Sequence, residues 1–273
     1  MTDFKTISGK KIKFLTSDLT MSSATEGELF YSDTSKEFKV GVTVEAWTAG
    51  GNLTAARKGL AGAGTLTAGL AFGGTGDTDA TEEYNGSSWT AGGNLTTARG
   101  YLAGAGTQTA GLVFGGDEAP GNSGKTEEYD GSSWTESGDL NTARAQLAGA
   151  GIQTAGLAVG GFISAVSGVV ESYDGSTWTE VGDLNTARTR LGAAGTTTAA
   201  LGFGGYVSAN SALSETYDGS SWTEGPDLGT ARERVAGAGT NTAALCSGGY
   251  VSANSALTEE FQGTVTLKTI TDS

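Results

Sequence analysis

Two charged residue types recur five times at matched positions and are the natural starting point for any chemistry: Arg57, Arg99, Arg144, Arg188 and Arg232, and Glu82, Glu127, Glu171, Glu215 and Glu259. Five guanidinium groups facing a common axis would bind an anion. A guanidinium with its own carboxylate forms an internal ion pair instead, and the planar fork of Arg suits a two-pronged bridge better than Lys does. Each Arg here has one Glu. The expected arrangement is therefore a structural, bidentate ion pair within each repeat, such as Arg144 with Glu171.

Other chemistry finds little material. Histidine is absent, which excludes Ser-His-Asp triads, Cys-His pairs and His-ligated metals. Glu233 is the one acid beside the first strand of a repeat, and a single carboxylate falls short of the pair that glycoside hydrolysis uses. Asp77, Asp79, Asp117 and Glu118 lie in loops that lack the alternating ligands and fixed Gly of a calcium-binding loop, so they read as solvated surface. Cys246 stands where other copies carry Ala71, Val113, Ala158 and Gly202, the place of a small buried hydrophobe. One cysteine cannot form an internal disulfide. The sequence thus predicts a non-enzymatic protein with no cofactor, no catalytic residues and no metal.

The positioning elements come from an internal repeat. Five copies of a 42–45-residue unit run from Trp47, with tryptophans at 47, 89, 134, 178 and 222. Trp to Arg is ten residues in every copy, and Arg to the second Gly of a pair (Gly74, Gly116, Gly161, Gly205, Gly249) is seventeen. Length varies only between that pair and the Glu. Periods of this size with strand-like content indicate propeller blades.

Each unit divides into four strands, a to d: an Ala/Gly-rich strand after Arg, an apolar strand ending in Gly-Gly, a Glu-x-Tyr strand, and a strand at Trp. Asn-Gly or Asp-Gly turns, which supply positive backbone torsions, join c to d. The Trp and Tyr columns read as core between blades. Alternating Ala and Gly on all five a strands fits inner strands crowded by a low blade number. The first Trp strand precedes the first a strand, and no Trp follows the last c strand near Phe261. The tally therefore predicts that the Trp47 strand completes the last blade and closes the ring, removing an open sheet edge.

The order Arg, strand, Gly-Gly, strand, Tyr, turn, Trp resembles the kelch motif, found also in galactose-oxidase-type propellers, across residues 47–263. The resemblance implies an all-β, five-bladed kelch-like propeller; the missing histidines exclude the oxidase's copper site. Residues 1–43 do not repeat, and 26–40 read as a β-hairpin. That stretch resembles short segments of virion structural proteins of tailed bacteriophages, near fibre and appendage attachment regions. The expected organisation is an N-terminal hairpin and attachment segment (1–43), a propeller (44–263) and a C-terminal strand or tail (264–273).

Net charge is −14, which disfavours nucleic acid and anionic membranes as partners. No apolar run reaches the roughly 20 residues of a membrane span, and the opening residues do not lead into a signal-peptide core. The leading expectation is a virion component, capsid or tail appendage, attached through its N-terminal segment to other virion proteins. The alternatives are a receptor- or glycan-binding adhesin module and a cellular kelch interaction scaffold, cytoplasmic or at the cell surface. Contact with a neighbouring protein or host surface glycan is expected at the variable b–c loops, where Phe162, Tyr206 and Tyr250 are the candidate binding residues.

Overall fold

The computed structural model describes residues 13–15, 29–32, 37–40, 50–76 and 78–262. The chain divides into two units, Met1–Ala49 and Gly50–Ser273. In the first, β1 (Lys13–Leu15), β2 (Leu29–Ser32) and β3 (Glu37–Val40) form one sheet. β2 and β3 pair antiparallel, giving the hairpin expected over 26–40, and β1 adds a parallel strand beside β2 that sequence reading does not anticipate. The expected closing strand at Trp47 and the expected strand at 264–270 lie outside the described residues.

The second unit is a five-bladed antiparallel β-propeller. Blade 1 holds β4 (Ala61–Thr65), β5 (Ala68–Phe72), β6 (Thr81–Tyr84) and β7 (Trp89–Ala91). Blade 2 holds β8 (Ala103–Thr107), β9 (Ala110–Phe114), β12 (Thr126–Tyr129) and β13 (Trp134–Glu136), with a two-strand ribbon, β10 (Asp117–Glu118) and β11 (Gly121–Asn122), in its b–c loop. Blade 3 is β14 (Ala148–Ile152), β15 (Ala155–Phe162), β16 (Val166–Tyr173) and β17 (Trp178–Glu180). Blade 4 is β18 (Gly192–Thr196), β19 (Ala199–Phe203), β20 (Ser214–Tyr217) and β21 (Trp222–Glu224). Blade 5 shows β22 (Ala236–Gly239), β23 (Ala243–Ser247) and β24 (Thr258–Gln262). Blades 1 to 4 run a-b-c-d in sheet order, and blade 5 runs a-b-c among the described residues.

The a strands are innermost, and all five line a shared axial cavity of about 440 Å³. Their glycines answer to the neighbouring blade. A methyl group at Gly149 would sit 2.6 Å from the Gly104 carbonyl oxygen of blade 2, and one at Gly237 would sit 2.5 Å from the Ala193 oxygen of blade 4. Adjacent inner strands therefore touch backbone to backbone, and any side chain there would prise two blades apart.

Packing between blades explains the aromatic columns. Trp134 meets Phe72 of the preceding blade edge-on, with ring centroids 5.0 Å apart, and its Nε1–H donates to Thr81 Oγ1 at 2.9 Å. Trp178 repeats both contacts on Phe114 and Thr126. Trp222 donates instead to the Gly182 carbonyl at 2.9 Å. These three indoles are buried, and each pairs across its own hairpin with a Tyr.

Candidate functional site

The recurrent ion pairs are present in all five blades: Arg57–Glu82 at 2.6 Å, Arg99–Glu127 at 2.7 Å, Arg188–Glu215 at 2.9 Å, and Arg144–Glu171 and Arg232–Glu259 in close contact. Each pair lies within one blade, as its spacing predicts. Their side chains are buried, apart from Glu259, which is 29% exposed. The guanidinium crosses the glycine pair and donates to its carbonyls, Arg99 to Gly115 at 2.9 Å and Arg144 Nε to Gly160 at 2.9 Å.

The expected bidentate bridge is not formed. One carboxylate oxygen takes Arg, while the other accepts a backbone N–H from the d–a link: Thr96 to Glu127 at 2.6 Å, Asn141 to Glu171 at 2.7 Å and Asn185 to Glu215 at 2.8 Å. The Glu thus ties three segments together, and the remaining Arg donors turn to backbone carbonyls of the same blade, Gly115 and Lys125 for Arg99 and Gly204 and Leu213 for Arg188. Nε of Arg57, Arg99, Arg188 and Arg232 is buried without a hydrogen-bond partner, a local cost of the arrangement. Burial pulls the Arg99, Arg144 and Arg188 guanidinium groups below their usual range, while their Glu partners oppose the shift. Burial would raise the Glu82 and Glu259 carboxyls, but backbone N–H donors and the partner Arg hold both below the ordinary value. All five pairs close within their own blades.

The other residues of interest are also accounted for. Cys246 is buried, and burial pushes its thiol up despite Arg232 Nη2, 3.2 Å from Sγ. Glu118 is engaged by Lys125 and Ser123 at 2.9 Å each. Asp77 lies outside the described residues. Among the described residues, no three Asp, Glu or Cys side chains gather as a metal-binding group.

The surface that stands out is the end of the propeller where the b–c loops emerge. Phe162, Ile163, Val207, Tyr250 and Val251 are exposed there, Phe162 at the end of β15 and the others in the b–c loops of blades 3 to 5. The loops are tied down. Phe162, Tyr206 and Tyr250 each pair by backbone with the residue after the blade's conserved Arg: Ala145, Thr189 and Glu233. Asn122 Nδ2 donates across blades to the Phe162 and Ile163 carbonyls at 2.9 and 2.8 Å, and Asn210 does the same for Tyr250 and Val251 at 3.1 and 2.6 Å. The three aromatic candidates therefore sit on a fixed rim.

Inside that rim is a feature the sequence reading missed. The position two residues after each conserved Arg is Gly59, Tyr101, Gln146, Arg190 or Arg234, and all five take a left-handed backbone, with φ of 66°, 50°, 56°, 56° and 57°. Backbone N–H groups link them from blade to blade: Tyr101 to the Gly59 carbonyl, Gln146 to Tyr101, Arg190 to Gln146 and Arg234 to Arg190, at 2.7–2.8 Å. These residues surround an axial cavity of about 290 Å³ floored by Leu60, Leu102, Leu147, Leu191 and Val235. Arg190 lies over the Tyr206 ring at 5.7 Å and Arg234 over Tyr250 at 5.9 Å. Glu233 bridges the two, 2.9 Å from Arg190 Nη1 and 3.4 Å from Arg234 Nε. The available signal was variation: the two positions after each Arg change from copy to copy (Lys58-Gly59, Gly100-Tyr101, Ala145-Gln146, Thr189-Arg190, Glu233-Arg234) inside a stretch of constant length.

The fold and this rim define a five-bladed β-propeller with one elaborated axial face. The chain matches no family model and no curated protein.

Proposed function

We propose that the protein is a non-enzymatic display component of a tailed-bacteriophage particle, a kelch-type propeller carried on an N-terminal attachment segment. The observation that carries this reading is the division of labour in the propeller. Strands and ion pairs give stiffness, while Phe162, Ile163, Val207, Tyr250 and Val251 are exposed together on one laced rim; the exposed Leu66 and Ile152 stand apart from one another at the a–b hairpins of the other end. Loops that vary on a rigid scaffold are where recognition concentrates. The sequence of 26–40, with its likeness to virion appendage segments, supports the attachment role, and the register of Arg, Gly-Gly, Glu, Tyr and Trp supports the kelch identity.

The test is incorporation. The full chain should co-purify with intact particles at fixed copy number, and deletion of residues 1–43 should abolish this. Grafting the loop at 206–214 into blade 1 should leave incorporation intact and change partner binding only. Normal incorporation of the truncated chain would transfer the docking role to the propeller.

A second reading, an adhesin module that binds a receptor or glycan, is favoured by one observation: Tyr206 and Tyr250 present their rings at the rim beneath Arg190 and Arg234. It differs in outcome, because rim substitutions would then reduce host attachment without altering particle composition.

A further inference from the structure

We infer that the axial mouth framed by Lys58, Tyr101, Gln146, Arg190 and Arg234 is a binding site for a small organic anion, one carrying a carboxylate or phosphate on an apolar body. The inference goes beyond display: it holds whether or not the chain is carried on a particle.

The first observation is stored strain. Left-handed torsions are uncommon outside glycine, and residues held in them concentrate at ligand clamps and active sites. Among the described residues the only non-glycine positive φ values are those of Tyr101, Gln146, Arg190 and Arg234. All four fall at one repeat position and line one cavity. Glycine would adopt this backbone without strain, and blade 1 uses it at Gly59. The chain instead places long polar side chains at this mouth in four blades, which packing alone does not require.

The second observation is charge. The chain carries −14 overall, yet the side chains lining this cavity include Lys58, Arg190 and Arg234 and no carboxylate. Glu233, just outside the lining, neutralises part of that charge. It also orients the two guanidinium groups, and Gln146 Oε1 further fixes Arg190 by accepting from its Nε at 2.7 Å. These contacts occupy Nε and Nη1 of Arg190 and Nε of Arg234, leaving Arg190 Nη2 and the Arg234 Nη groups, with Lys58, as the donors for a carboxylate or phosphate. A cationic recess in an acidic molecule also favours capture of anions over cations.

The third observation is the floor. Leu102, Leu147, Leu191 and Val235 are almost wholly buried beneath the charged rim. A concave site with an apolar floor and a few convergent polar groups is the usual form of a small-molecule pocket. Its volume, about 290 Å³, restricts the occupant to a small molecule or one terminal group. Because the mouth lies on the axis, the expected stoichiometry is one ligand per chain.

Isothermal titration of the full-length protein with benzoate and with phenyl phosphate tests this, with neutral benzamide and inorganic phosphate as comparisons. We expect one site per chain for both organic anions, weaker binding of inorganic phosphate, which leaves the floor uncovered, and no binding of benzamide. Arg234→Gln and Lys58→Gln alter exposed side chains, so each should preserve the fold, as checked by circular dichroism. Each should weaken binding on the order of tenfold, the loss of one charge-assisted contact, while Lys125→Gln outside the mouth should leave it unchanged. Absence of binding by both organic anions overturns the assignment. So do a stoichiometry near five, equal affinity for benzamide, and full affinity in both mouth variants. Inorganic phosphate binding as tightly as phenyl phosphate would remove the apolar floor from the site.

Discussion

Arg144 shows what a single residue carries in this molecule. Its guanidinium holds the Glu171 carboxylate, the Gly160 and Ala158 carbonyls and the Thr142 carbonyl, all within one blade and out of solvent. Removing one partner of a buried pair strands the other charge, at a cost of about 3–5 kcal/mol. Arg144→Ala should therefore lower stability by that amount in chemical denaturation, and a change near zero would show that the pair contributes nothing. Replacing both partners, Arg144→Met with Glu171→Gln, should recover part of the loss, because no uncompensated charge stays behind.

Residue-scale chemistry also sets the pH window. Asp130, Asp174 and Asp218 each accept hydrogen bonds from the Ser or Thr residues two and three positions on, which hold their carboxyls down at about 2. A depressed carboxyl stabilises the fold above its unfolded value near 3.9, and that contribution disappears as pH falls toward 2. Tyr129 and Tyr173 are pushed up to about 12, by burial first and then by hydrogen bonds to Glu83 and Glu128 of the preceding blade. A raised phenol stabilises the fold below its unfolded value near 10, and that contribution is lost as pH rises toward 12. With Glu82 and Glu259 also held low and the Cys246 thiol held high, melting temperature should be level between about pH 5 and pH 9 and fall on both sides. A Tyr173→Phe variant should show a smaller alkaline fall.

At the scale of strands, the inner Ala/Gly alternation is a steric device. Gly149 lies where an added methyl group would approach the Gly104 oxygen to 2.6 Å and the Phe114 ring to 2.9 Å. Neither neighbour can withdraw without moving a strand. Gly149→Ala should cost about 1–3 kcal/mol, the usual range for overpacking. Gly121, in the b–c ribbon of blade 2, has open space around it, and Gly121→Ala should stay within about 0.5 kcal/mol. Equal effects at the two sites, measured by urea denaturation, would refute the backbone-to-backbone account of blade packing.

Over the whole molecule, net charge and local charge point in different directions. At −14 the protein should not bind duplex DNA at physiological salt, and any complex seen at low salt should lack the steep salt dependence of multiple phosphate contacts. A mobility-shift titration with a slope of several ions released would contradict this. The positive recess at the axis is too small to reverse that behaviour, yet it is sized for one anionic group.

Fixed spacing along the sequence was enough to determine the blade count, the strand order, the partner of each Arg and the burial of Trp and Tyr in blades 2 to 4; Trp89 and Tyr84 of blade 1 are half-buried. All of these follow from local periodicity and from elements that repeat their own neighbours. The single-pronged form of the ion pairs was not legible, because the second carboxylate oxygen is claimed by a backbone N–H that only the folded d–a link brings near. The cationic mouth was not legible either. Lys58, Gln146, Arg190 and Arg234 lie in four different repeats, up to 176 residues apart in the chain, and nothing in one repeat reveals that their side chains converge. Closure of five blades around an axis creates that proximity. It is a property of the ring, and tertiary structure alone decides it.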